Sequence, residues 1–139
     1  MGTVNIQIGE WLGVPPPACD ADVLRLVEGR LSPTVIARLD DLGLERAEIN
    51  ATVIPTRTLQ HRRLRHEDLT VEESDRVLRV LRVLAATEEV YGSRSRALDW
   101  LRRPNPRLEE RAPLSLLKTD TGSRMVEELL GQIDEGMFI

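Results

Sequence analysis

The tetrad Thr70-Val71-Glu72-Glu73 limits the possible folds of this chain more than any other feature. A hydroxyl at the N-cap and a carboxylate three residues later can each satisfy a backbone N–H that the first helical turn leaves without a partner. The run behind it continues to about Tyr91 and stops at Gly92, a residue suited to ending a helix. Val77, Leu78, Leu81, Leu84, Ala85 and Val90 form its apolar side. Val80 and Val83 widen that side, so the helix is expected to pack on two faces. Only 3% of the 139 residues are aromatic. The core must therefore be aliphatic, which favours helix on helix.

The remaining punctuation is helical as well. Asp20 is expected to cap a helix over residues 21–30, with Val23, Leu24 and Val27 inward. Ser32-Pro33 opens a helix to Leu42 that Gly43 ends. Helices follow over residues 45–51 and 55–65, the second seated by Leu59 and Leu64. Beyond the long helix, Ser95 caps a short helix carrying Trp100, Pro104-Asn105-Pro106 makes a stiff corner, and Pro113 starts a helical turn. A last helix runs to about Asp134, with Met125, Val126, Leu129 and Ile133 inward. Residues 1–18 carry three consecutive prolines and read as an irregular tail, with Val4, Ile6 and Ile8 alternating as in a short strand. The expected organisation is all-α: tail 1–18, helical domain 19–92, smaller helical module 93–139.

Composition excludes several functions. No run is apolar enough to span a membrane, and no secretory signal opens the chain, so a soluble cytoplasmic protein is expected. The lone Cys19 cannot form an internal disulfide, and His61 and His66 lack carboxylate or thiol neighbours in a ligand pattern, so no metal or other cofactor is expected. Glu72-Glu73, Glu88-Glu89 and Glu127-Glu128 are adjacent pairs that diverge on a helix surface. No nucleophile, paired base or phosphate loop accompanies them, so no catalytic residue is assigned.

The net charge is −4, yet residues 54–66 carry Arg57, Arg62, Arg63 and Arg65. The order of helix, three-residue turn and helix matches helix-turn-helix spacing. Thr56, Arg57, Thr58 and Gln60 fall where such a helix meets base edges, and Arg57 suits guanine as Gln60 suits adenine. Arg62 and Arg63 suit phosphates, which position rather than specify. A helical hairpin with a solvated basic face remains the other reading. Val53 stands where the motif often has glycine.

Ala97-x-x-Trp100-Leu101, Pro104-Asn105, Pro113-x-x-Leu116-Leu117-x-Thr119, Gly122, Val126, Leu129, Leu130, Ile133 and Gly136 occur in that order. Upstream stand Ile54-Pro55-x-x-Thr58-Leu59 and Leu69-Thr70-x-Glu72-Glu73-Ser74-Asp75-Arg76. Together these motifs, spanning roughly residues 32–136, resemble the Xre/MbcA/ParS family of antitoxins, with the ParS branch as the nearest likeness. One departure is Leu108-Glu109-Glu110-Arg111-Ala112, where many relatives have a glycine-rich turn.

The resemblance implies a type II antitoxin, not an enzyme, whose partner is a RES-domain toxin that consumes NAD or transfers ADP-ribose. It also implies a homodimer or a toxin–antitoxin hetero-oligomer that binds operator DNA. Thr119 and Arg124 become candidate toxin contacts. So does the end of the chain, Asp134, Glu135, Gly136, Met137, Phe138 and Ile139. An exposed Met-Phe-Ile end gains by burial, either in the toxin or back on this chain's own core, and the anionic groups before it suit arginines that would hold NAD's pyrophosphate. The alternative reading is a helix-turn-helix repressor without a toxin partner.

Overall fold

A computed structural model describes residues 2–136. It is all-α, with no strand among the described residues. Eight helices follow in order: α1 (Gly2–Leu12), α2 (Asp20–Glu28), α3 (Val35–Asp41), α4 (Arg46–Thr52), α5 (Thr56–Leu64), α6 (Val71–Tyr91), α7 (Arg94–Arg102) and α8 (Asp120–Asp134). Two short 3-10 segments, Pro106–Leu108 and Pro113–Leu116, lie between α7 and α8.

Helix α6 is the axis of the molecule. The Thr70 hydroxyl accepts from the Glu73 N–H at 3.1 Å, and the Glu73 carboxylate accepts from the Thr70 N–H at 2.8 Å. Gly92 closes the helix in the left-handed region at φ 82°. Helices α1, α2, α7 and α8 all pack on α6. Val77, Val80, Leu81, Val83 and Leu84 are buried, so the expected packing on two faces is present. One hydrophobic cluster runs through the molecule from Ile8 in α1 to Leu130 in α8.

The N-terminal segment differs from expectation. Residues 2–12 form α1 rather than an irregular tail or a strand. Val4, Ile8, Trp11 and Leu12 recur at helical spacing, and Ile8, Trp11 and Leu12 are buried in the core. Ile6, which suggested alternation, is 52% exposed. The Arg94 guanidinium lies 5.4 Å from the centre of the Trp11 ring and also bonds Glu88 at 3.1 Å. A cation over an indole face fastens α1 to the start of α7.

Two expected anchors are outward. Leu24 is 55% and Leu64 80% exposed. Leu64 lies five residues beyond Leu59, which at 3.6 residues per turn puts it on a different face. Met125 is likewise turned out at 39%.

Candidate functional site

Two surfaces gather the candidate residues. The first is built from α4 and α5. Thr52, Val53 and Ile54 are buried, so the connection is part of the core. Val53 has φ −111°, so the turn has no need of glycine there. Asn50 on α4 accepts from the Thr56 N–H at 2.8 Å and lies 3.2 Å from its hydroxyl. That contact sets the start of α5 relative to α4, and it ties up Thr56. Arg57, Gln60 and Arg63 are exposed and Thr58 is half-buried.

Arg62 departs from the expected phosphate role. Its guanidinium forks onto Glu73 through two contacts of 3.2 Å and reaches Glu67 at 3.5 Å. It stands three residues after the buried Leu59 and therefore faces inward, toward the start of α6. Burial pushes the Glu73 carboxyl up, but the Arg62 fork and the Thr70 N–H outweigh it and hold the carboxyl below its ordinary value. Arg46, which the sequence did not single out, lines one cleft with Gln60 and Arg63. It stands at the opposite end of the motif in sequence, and only the crossing of α4 and α5 brings it there.

The second surface is the C-terminal module. Arg102, at the end of α7, forks onto Glu48 of α4 at 2.8 and 2.9 Å and donates to the Gly43 carbonyl at 2.7 Å. Burial pushes Glu48 up, while the Arg102 bonds and the Glu45 N–H bring it below its ordinary value. Buried Arg79 donates to the Leu117 carbonyl at 3.2 Å and to Asp75 at 2.6 Å, tying α6 to the loop before α8.

The Asn105 side chain accepts from the Arg107 N–H at 2.9 Å, as its place in the corner suggests. The Arg111 N–H closes a turn onto Leu108 at 3.1 Å. Glu109 and Glu110 inside that turn have φ of 57° and 63°. Left-handed backbone at a residue with a Cβ costs about 1–2 kcal/mol, so the glycine expected here is absent while its geometry is kept. Trp100 is half-buried against Tyr91, with ring centres 5.9 Å apart. Trp11 is the buried tryptophan.

Thr119 is the N-cap of α8, and its hydroxyl accepts from the Gly122 N–H at 3.0 Å. Arg124 is exposed and pairs with Asp120 at 3.2 Å. Asp134, Glu135 and Gly136 are exposed where α8 ends. Met137, Phe138 and Ile139 lie outside the described residues.

Residues 86–136, from the second half of α6 through α8, match the family described as the antitoxin Xre/MbcA/ParS C-terminal toxin-binding domain. The chain is also 34% identical over 125 residues to the antitoxin Xre of Pseudomonas putida, covering 90% of this chain and 79% of that protein. It belongs to the Xre antitoxin family. Identity to the antitoxin Xre of Yersinia enterocolitica is 39% over 98 residues, 69% of this chain and 66% of that one. A Sphingobium protein named Prs ADP-ribosylating antitoxin is 26% identical over 103 residues, 68% of this chain and 65% of its own length. An antitoxin has a toxin as its partner, and the segment matched to the toxin-binding domain comprises the end of α6, α7, the corner and α8. No described helix is long and apolar enough to cross a membrane.

Proposed function

We propose that this antitoxin neutralises a RES-domain toxin that consumes NAD or transfers ADP-ribose, and that it represses its own operon through α4 and α5. The observation that carries the reading is the match of residues 86–136 to the toxin-binding domain. The name of the Sphingobium relative, an ADP-ribosylating antitoxin, agrees with ADP-ribose chemistry in the system. Toxin contact falls to Arg124 and the chain end from Asp134 onward. Thr119, itself exposed, shapes the start of α8 as its cap. The assembly is a homodimer or a toxin–antitoxin hetero-oligomer.

Operator contact rests on the exposed Arg57, Gln60 and Arg63 and on Arg46 beside them. Arg57 and Gln60 sit in the first turns of α5, where base edges are read, and Arg63 and Arg46 suit phosphates. Arg62 serves the fold instead. In an operator mobility shift, Arg57→Ala should weaken binding about 10- to 100-fold, the loss of one bidentate base contact of roughly 1–3 kcal/mol. Arg63→Ala should weaken all sequences alike and flatten the salt slope by about one ion. Absence of any shift at moderate salt, with and without toxin, would refute operator contact.

A further inference from the structure

A groove between α1, α2, α6 and α8 encloses about 550 Å³. Its floor is apolar, formed by Val4, Val23, Leu78, Ala86, Val90 and Leu130. Leu24, one position past Val23 on α2, is left 55% exposed. Among the described residues, the rim carries carboxylates at Asp20, Glu89, Glu127 and Asp134 against a single cation, Arg82, which is paired with Glu127.

Gly131 also lines this groove, inside α8. A Cβ built there would meet nothing within 4 Å. Among the described residues no neighbour requires glycine, and glycine is the poorest helix former after proline. Its bareness leaves the groove open to something that approaches the α8 backbone from outside. An aliphatic trough with an anionic rim fits an amphipathic helix whose polar face is cationic. A second copy of this chain packed face to face on the groove would set the same carboxylates against themselves. Residues 86–90 and 127–134 of the groove belong to the segment matched by the toxin-binding domain.

We infer that this groove is a docking site for a basic amphipathic helix of the toxin, with α1 and α2 supplying a wall from outside the matched domain. The identity of the occupant rests on the antitoxin reading above; the chemistry of the groove does not.

The full chain is titrated with two helical peptides that share one leucine stripe, one with lysines and one with glutamates on the polar face. Backbone amide NMR follows binding. The lysine peptide should bind at least about tenfold tighter, with its largest shifts in residues 86–90 and 127–134. Gly131→Arg should remove that binding without lowering Tm, and Gly131→Ala should raise Tm by a few degrees. Equal binding of the two peptides, no binding, shifts centred elsewhere, or binding indifferent to Gly131→Arg would overturn the groove. In a second arm, a RES-domain toxin from the same operon is co-purified with either chain. Retention by the unaltered chain and loss by Gly131→Arg support the assignment, and retention by both overturns it. Failure of the unaltered chain to retain the toxin refutes the antitoxin–RES pairing, while the peptides still decide the groove.

Discussion

Gly122→Ala should destabilise the protein by about 3 kcal/mol, at the upper end of overpacking costs. The reason is geometric. A Cβ on Gly122 would stand 2.0 Å from the carbonyl oxygen of Leu116 and 2.9 Å from its carbonyl carbon. Both are backbone atoms, so no rotamer change relieves the clash. The first turn of α8 must move off the 3-10 segment before it. That segment is anchored from the other side, because Leu117 holds the buried Arg79 and Pro113, Leu114 and Leu116 are themselves buried. In a chain of this size the loss corresponds to a fall in Tm on the order of 10 °C. Calorimetry of the Gly122→Ala and Gly131→Ala variants side by side checks it, since the second adds the same methyl to the same helix in open space. An equal Tm for the two would contradict the packing described between α8 and the 3-10 segment.

Loss of Glu73 should be comparably severe. Glu73→Ala removes the N3 half of the capping box on α6 and the fork that holds Arg62, and the fork's carboxylate is 8% exposed. Breaking a buried pair and a cap together costs about 3 kcal/mol, with the 23% exposure of Arg62 keeping it from being larger. Urea unfolding of Glu73→Ala, Arg62→Ala and the double variant measures the coupling, expected above about 1 kcal/mol. The effect also has a pH signature. The Glu73 carboxyl is held below its ordinary value of 4.5 when folded. Its contribution is therefore complete above that value and is lost as pH falls through the lower, folded one. Glu48 acts in the same direction through Arg102. Glu73→Gln should flatten the acid limb of the stability curve while leaving the Glu48 part in place. An unchanged acid limb would remove Glu73 from the account.

Features that depend on near neighbours were legible in the sequence. The capping box, Gly92 and the apolar side of α6 are local signals, and each is realised. Two caps were misplaced by one or two residues, since Cys19 and Ser93 rather than Asp20 and Ser95 precede α2 and α7. The other features that escaped depend on distant packing. Helix α1 forms because Ile8, Trp11 and Leu12 find α6, more than sixty residues away in sequence, and a strand-like alternation concealed their helical spacing. Among the arginines of α5, charge alone could not separate Arg62 from Arg63. The sorting rule is the angle from Leu59: three residues on points at α6, four on points into the cleft shared with Arg46. Arg46 and Asn50 are functional or positioning candidates only because α4 crosses α5.

The proposal that the C-terminal module holds a RES-domain toxin inactive has a direct consequence for NAD. The measurement is NAD turnover by a RES-domain toxin encoded in the same operon, followed as full-length antitoxin is added. Turnover should fall in proportion to antitoxin and vanish at a fixed stoichiometry, and a chain lacking residues 134–139 should fold yet restore it. Undiminished turnover in excess of the full-length chain would contradict the account.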